Sequence, residues 1–373
     1  MVARPPGGGG GEMIKLLIGG SPCTHWSIAQ TKNRETTPEG IGWELFLNYL
    51  IARDKYTPDY FLYENNKSMS PSVRERITEL LGVSPTLINS ALVSAQNRER
   101  LYWVGKRNMN GTYSEIDVPQ PDDCKVFLQD VLETPGETWL KKAYTITATE
   151  YKGNSAEHFL EKHIRTQIAI PINPLKSGKS RAVDAHMERL ENDLVARINN
   201  PNRAKQQYDC IAEAIQSNNG RGGGKLPIYE VCENVIAKNG KCYRVNLPDG
   251  LYSFRKLTVP ECRRLQTIPD TYFFPVSNTQ QYKMLGNGWT VDVIAHIMSH
   301  FDGLTAERVE VLSMYDGMSC GQIALNKLGA KVERYYASEI DKYAVLTTQH
   351  NYPSTIQIGD AFNVRRSDWS LEP

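Results

Sequence analysis

Residues 14–18 read Ile-Lys-Leu-Leu-Ile and run straight into Gly19-Gly20-Ser21-Pro22-Cys23. A short, mostly apolar run of this kind reads as a strand buried on both faces of a parallel sheet, which needs strand neighbours on each side and helices above and below. Two glycines and a proline then fix a tight loop at the strand's C-terminal end, the edge along which open α/β sheets bind their ligands. A cysteine displayed there is a candidate nucleophile.

The residues that follow keep the same grammar. Strands are expected over 60–63, 87–92 and 101–105, with helices over 43–52 and 71–81, the second opened by Ser70 as N-cap and Pro71 in the first turn. This pattern predicts strand-helix units of a parallel sheet. From 108 to 249 the chain turns polar, irregular and glycine-rich. There it shows one amphipathic helical face (Val183, Met187, Leu190, Leu194, Ile198) and a hairpin over 228–236 and 241–245, turned at Asn239-Gly240. After residue 251 the strand-helix pattern returns. A helix spans 291–300, a strand over 309–315 enters the loop Asp316-Gly317-Met318-Ser319-Cys320-Gly321, and a helix follows to 328. A strand over 332–338 ends in Glu339, and one over 355–359 ends in Asp360. The expected organisation is a flexible leader (1–12), a catalytic domain in three pieces (13–107, 250–300 and 308–373, the last two joined by a bridge at 301–307), and a smaller inserted domain (108–249).

Bulk properties narrow the class. No apolar run approaches the roughly 20 residues of a membrane span, and no signal peptide is visible, so no membrane partner is expected. The seven cysteines are dispersed, without a CxxC pair or zinc-type spacing, which points to free thiols in a reducing compartment and to no metal. With a net charge of only +1, any basic surface must be local. Gly7 to Gly11 form an unbroken glycine run, read as a leader or added linker, with Met13 as the expected natural start.

A strand, a glycine turn into a helix, and an acid ending the next strand make a nucleotide-binding unit, in which the carboxylate accepts ribose hydroxyls. The loop reads D-G-x-x-x-G and lacks G-x-G-x-x-G, so no pyrophosphate cradle is implied. A ligand with one ribose and no diphosphate, such as S-adenosylmethionine, fits. From the loop alone, a nicotinamide cofactor and a ligand-free turn both stay open. Ser177-Gly178-Lys179-Ser180 imitates the end of a P-loop, but Asn173 stands where the pattern needs glycine.

Taken together, the motifs resemble those of the cytosine-C5 DNA methyltransferases. Asp316 to Gly321 resembles that family's cofactor loop, Glu339 its ribose-binding acid and Asp360 its adenine-contacting acid. Gly19 to Cys23 resembles the nucleophile motif, Glu64-Asn65 the Glu-Asn-Val motif, and Gln96-Asn97-Arg98-Glu99-Arg100 the Gln-x-Arg-x-Arg motif. Arg255 to Thr258 with Glu261 to Gln266 resembles the segment that supports target recognition. Gly286-Asn287-Gly288-Trp289-Thr290-Val291 resembles the last motif. The resemblance implies a Rossmann-like α/β methyltransferase sheet with helices on both faces and an inserted target-recognition domain. It also implies S-adenosylmethionine as cofactor (S-adenosylhomocysteine as product), with Pro22, Asn287, Trp289, Asp316, Gly317, Ser319, Cys320, Gly321, Glu339, Ile340, Asp360 and Ala361 binding it.

The chemistry of the residues agrees. Cytosine C5 is a poor nucleophile, so a thiolate must first add to C6; Cys23 suits this step. Charge then develops at N3, where Glu64 can donate a proton. Arg98 and Arg100 would hold the base oxygen and adjoining phosphates, and Asn65 would fix the Cys23 loop. A target carbon inside duplex DNA requires base flipping. Residues 24–42 are expected to close over the base, with Ser21, Ser27, Lys32 and Arg34 at the DNA; Lys176, Lys179, Arg181, Arg221 and Lys225 are candidate readers in the inserted domain. The expected partner is double-stranded DNA, with a cognate restriction endonuclease in the host system. The expected state is a cytoplasmic monomer of prokaryotic or phage type. The same chemistry on RNA and a catalytically silent DNA-binding module are the competing readings.

Three departures from the family pattern stand out. Asn66 replaces the usual valine, and Trp43 lies near a position often held by arginine. The nucleophile motif precedes the cofactor motifs, the reverse of the family's order. Joining Pro373 to Ile14 would restore that order, as expected for a circular permutation, which requires only that the family's two termini lie close in space.

Overall fold

The structure is a computed structural model that describes residues 13–28, 34–133, 136, 138–152, 159–161, 165–171, 228–238 and 241–371. The leader, the 183–198 helical face, the Asn239-Gly240 turn, Lys32, Lys176, Lys179, Arg181, Arg221 and Lys225 lie outside the described residues. The chain forms two compact units, one of residues 1–131, 142–151 and 259–373, the other of 132–141 and 152–258.

In chain order the strands are β1 (Met13–Gly19), β2 (Tyr60–Asn66), β3 (Pro85–Asn89), β4 (Glu99–Arg107) and β5 (Tyr113–Glu115). Next come β6 (Gln167–Pro171), β7 (Ile228–Val231), β8 (Val235–Lys238), β9 (Lys241–Arg244) and β10 (Gly250–Lys256) of the smaller unit. The larger unit is completed by β11 (Arg308–Met314), β12 (Lys331–Ser338) and β13 (Ile356–Gln357). Its helices are α1 (Gly40–Tyr56), α2 (Pro71–Leu81), α3 (Val259–Leu265), α4 (Asn278–Asn287), α5 (Val291–Met298), α6 (Cys320–Leu328) and α7 (Lys342–Asn351).

The large sheet runs β13-β12-β11-β1-β2-β4-β3, with β5 pairing on β4. β1 is central: Leu17 pairs with Leu312 of β11 on one side and Phe61 of β2 on the other, both in parallel. The strand-helix units expected of a parallel sheet hold for β1, β2, β11, β12 and β13, but the sheet is mixed, because β4 runs antiparallel to both β2 and β3. Residues 90–98 are too few for the crossover of a dozen or more residues that a parallel return requires. They turn instead through a 3-10 segment at Ser90–Leu92, where the Asn89 side chain accepts from Ala91 N at 3.0 Å. The strand expected to reach residue 92 therefore ends at Asn89.

Alternation sorts the side chains. Leu17, Phe61, Tyr63, Trp103, Leu312, Met314 and Tyr336 join one core with Phe46, Tyr49 and Ala52 of α1 and Val73, Ile77 and Leu81 of α2. Each large apolar side chain so buried contributes about 1.5–3 kcal/mol. Ile18 points the other way, against α6, where a Cβ added to Gly321 would lie 2.2 Å from Ile18 Cδ1. The second helix occupies its predicted span: Ser70 Oγ accepts from Val73 N, Pro71 fills the first turn, and Gly82 at φ 75° stops it.

In the smaller unit, β10 pairs antiparallel with β6 and β7, and β8 pairs with β9. Phe159, Leu160, Tyr229, Val231, Ile236, Tyr252 and Phe254 form its core. The strand expected over 228–236 is broken at Glu233 and Asn234, both in the left-handed region at φ 51° and 61°. Residues 108–131 and 142–151, which the sequence placed in the inserted domain, belong to the larger unit: β5 extends the sheet, and Ala143 bridges to Gln96. Residues 250–256, placed by sequence with the catalytic domain, pair within the smaller unit instead.

Candidate active site

The C-terminal ends of β1, β2 and β11 are adjacent in the sheet, and most of the predicted site residues cluster there. β1 ends at Gly19, and Cys23–His25 forms a 3-10 turn; the Cys23 side chain lies outside the described atoms. The loop before it is firmly held. Asn65, fully buried, donates through Nδ2 to the Ser21 carbonyl at 3.1 Å, and the Ser21 and Tyr63 hydroxyls share a 2.6 Å hydrogen bond. Ser21, expected at the DNA, is thus buried inside the loop's own support. Tyr63 was not singled out by sequence; it is legible only as a strand residue that happens to be tyrosine.

Glu64 closes this half of the site. Arg100 Nε lies 3.1 Å from Glu64 Oε1, and the Trp289 indole N–H donates to Oε2 at 2.9 Å. Gly20 packs directly on the same residue: a Cβ there would lie 2.7 Å from the Glu64 carbonyl oxygen and 2.9 Å from Oε2. Burial raises the phenols of Tyr63 and Tyr102 beside this carboxylate, and the negative charge of Glu64 adds to the shift.

Arg98 and Arg100 separate in role. Arg100 faces Glu64, whereas the Arg98 guanidinium is buried and donates to the carbonyls of Ile146 (3.1 Å), Gly286 (3.2 Å) and Gly288 (2.9 Å). It clasps the loop carrying Asn287 and Trp289. Two glutamines complete the clasp. Gln96 donates to Leu265 O and Gln266 Oε1, while Gln266 donates to Leu285 O and Gly288 O. Both stand in the quoted motifs, yet only burial reveals their task. Arg34, expected at the DNA, places its guanidinium on the carbonyls of Trp26 and Ser68. Ser27 is half-buried and Pro22 exposed.

At the end of β11 the chain turns tightly, with Tyr315, Gly317 and Ser319 all at φ near 60°. Glu339 ties this loop to the next strand end: Oε2 accepts from Gly317 N and Oε1 from Ile340 N and Asp341 N, each at 2.8 Å. Asp316 accepts from Ser319 Oγ and from the Tyr335 hydroxyl. Burial, with a contribution from Glu339, pushes the Asp316 carboxyl up to about 6. Burial also raises the Cys320 thiol to about 12, which marks it as a packing residue rather than a second nucleophile. Asp360 caps the Ala361–Arg365 turn through Phe362 N at 2.9 Å, with Ala361 buried behind it. Ile340 is 75% exposed beside Glu339, and Asn287 is exposed. Tyr272, donating to Met318 O at 2.6 Å, and Thr348, donating to Gly317 O at 3.3 Å, brace the loop without any local sequence signal.

Comparison with known proteins defines the class. The family model of C-5 cytosine-specific DNA methylases matches residues 10–302, and the chain belongs to that family. Its central sheet flanked by helices is accordingly a Rossmann-like methyltransferase sheet. Among similar proteins, the Type II methyltransferase M.FnuDI of Fusobacterium nucleatum is 26% identical over 297 residues, covering 76% of this chain and 74% of that protein. The Type II methyltransferase M.MthTI of Methanothermobacter thermautotrophicus is 24% identical over 283 residues (73% of each), and M.HpaII of Haemophilus parainfluenzae 25% over 298 (76% and 70%). The chain is an enzyme of the cytosine-5 DNA methyltransferase class.

Proposed function

We propose that this enzyme moves a methyl group from S-adenosylmethionine to C5 of a flipped-out cytosine in double-stranded DNA, through a transient bond between Cys23 and C6. The observation that carries the reading is the Glu64 carboxylate, held between Arg100 and Trp289 and packed on the loop that leads to Cys23.

The residues at the end of β11 fit the cofactor. A Cβ on Gly317 would meet nothing within 4 Å, so the turn leaves open space. Glu339 receives one amide on one oxygen and two on the other, and a carboxylate has about four acceptor sites, so capacity remains for a ribose hydroxyl. Ile340 offers an exposed apolar face next to it. When bound, S-adenosylmethionine supplies an electrophilic methyl group; Asp316, Gly317, Glu339, Asp360 and Asn287 would hold it. The rest belongs to the chain. The Cys23 thiolate adds to C6, Glu64 gives a proton to N3 as charge gathers there, and Arg100 orients the base while pairing with Glu64. Asn65 holds the Ser21 carbonyl and Tyr63 its hydroxyl, and Arg98 holds the Asn287–Trp289 loop. A solvent water then takes the C5 proton as the C6–S bond breaks to release the Cys23 thiolate, and the N3 proton returns to Glu64.

The motif order supports a circular permutation. The family match stops at residue 302, while β11 to β13, which carry the cofactor motifs, follow α5 in the chain. Yet β11 lies beside β1 in the sheet, where a cofactor half preceding β1 would put it. A gene reordered so that 308–373 precedes 13–302 should encode an equally active enzyme; an inactive but folded product would count against the permutation. The smaller unit is the proposed target reader. The Type II names of the relatives support action on DNA in the cytoplasm beside a cognate endonuclease. Among the described residues, no helix is long and apolar enough to cross a membrane.

Labelled methyl transfer to duplex DNA, with tRNA as the second substrate, tests the reading. Label on DNA at cytosine C5 is the expected result, and label confined to tRNA would replace DNA with RNA. Label on neither, with DNA still bound, would leave only a DNA-binding module.

A further inference from the structure

Glu64 has two oxygens, and the structure engages both from different parts of the chain. Arg100, from β4, takes Oε1 at 3.1 Å; the Trp289 indole N–H, from the loop between α4 and α5, takes Oε2 at 2.9 Å. The partners of that loop are few and rigid. Arg98 and Gln266 both donate to Gly288 O, and the Thr290 hydroxyl donates to Gln266 Oε1 at 2.9 Å. On its other side the loop meets the cofactor turn: a Cβ on Gly288 would lie 2.7 Å from Met318 Cε and 3.3 Å from Cys320 Sγ. Trp289 therefore spans from the cofactor turn to the carboxylate, 225 residues away in sequence.

We infer that Trp289 is a positioning residue for Glu64, fixing the plane of the carboxyl through its indole N–H rather than only walling the cofactor pocket. The inference rests on the proposed role of Glu64 as proton donor. Two donors on separate oxygens stop rotation of the carboxyl, and each oxygen keeps one lone pair free to carry or release a proton. The other groups facing Glu64 are Arg100, the phenols of Tyr63 and Tyr102, and the Gly20 backbone.

The test removes the N–H and keeps the ring. Trp289→Phe does this roughly, and benzothienylalanine at 289, with sulfur in place of the indole N–H, does it without a change of shape. Losing one hydrogen bond to a charged group is worth about tenfold or more, so single-turnover methyl transfer should fall by about that factor. KM for S-adenosylmethionine should stay unchanged. A raised KM with unchanged rate would reduce Trp289 to a pocket wall and overturn the inference. A second readout is independent of turnover: at fixed pH the Glu64 carboxyl resonance, assigned by its loss in Glu64→Gln, should change position in the benzothienyl protein, because the indole N–H no longer donates to Oε2. Coincident resonances in both proteins overturn the inference even if the wild type methylates nothing, whereas a wild type without transfer but with the displaced resonance overturns only the methyltransferase reading.

Discussion

Replacing Gly20 by alanine is the sharpest test of how the nucleophile loop and the acid are packed. Gly20 lies outside the left-handed backbone region, so alanine is disfavoured there by contact alone. Its methyl carbon would sit 2.7 Å from the Glu64 carbonyl oxygen and 2.9 Å from Oε2, whereas ordinary contact begins at 3.4 Å. Something must yield by about 0.7 Å at the carbonyl and 0.5 Å at the carboxylate. The carbonyl belongs to β2, where Glu64 pairs with Tyr102 of β4, so the strand cannot recoil cheaply. The carboxylate is the softer side, but it moves only by stretching its bonds to Trp289 and Arg100. Overpacking of this kind costs about 1–3 kcal/mol. For a unit of this size that lowers Tm by about 2–4 °C per kcal/mol. A misplacement of 1 Å at a reacting group costs about a hundredfold, so half that distance should slow single-turnover transfer by about tenfold. Thermal melts and rapid-quench transfer on duplex DNA read both effects. A Gly20→Ala protein with wild-type rate and wild-type Tm would show that the loop before Cys23 does not rest on Glu64.

Two further outcomes follow from the arginines and from Asp316. Arg98→Ala strands three carbonyls and should lose about 3 kcal/mol or more in urea unfolding. Arg100→Ala removes one partner of a largely buried pair with Glu64, so it should cost some stability too, but its larger loss should be in methyl transfer. The reverse ranking would mean the two guanidiniums have been assigned the wrong tasks. Asp316 is raised by burial to about 6, so the folded protein holds its proton more tightly than the unfolded chain. Its contribution to stability is fully present below about pH 4 and is lost as pH rises through about 6. The stability difference between wild type and Asp316→Asn should therefore fall between pH 4 and 6 and level off above 7; a difference that grew with pH would contradict burial as the dominant effect on this acid.

Elements held together by local chemistry are legible in the sequence. β1, β2 and β11 announce themselves by apolar runs, and α2 by Ser70 and Pro71. Strand direction is not local: nothing in residues 99–107 marks β4 as antiparallel, and the short 90–98 connection decides it. The motifs mark the site, but its wiring is invisible in them. Arg98 and Arg100 stand two apart on one strand and look equivalent, yet one serves backbone carbonyls and the other Glu64. The Trp289–Glu64 bond joins two motifs 225 residues apart, a pairing that no spacing rule encodes. Ser21 and Arg34 looked like surface contacts because polar residues in a loop usually are; here buried neighbours claim them.

The central claim is that Cys23 attacks C6 of cytosine, and trapping measures it most directly. Duplex DNA carrying 5-fluorocytosine at the target, incubated with the enzyme and S-adenosylmethionine, should yield a covalent protein–DNA adduct stable to denaturing electrophoresis. Elimination stalls because fluorine replaces the proton that must leave C5. Peptide mapping should place the adduct on Cys23, and Cys23→Ser should abolish it. An adduct that persists in Cys23→Ser, or that maps to another cysteine, would contradict the account.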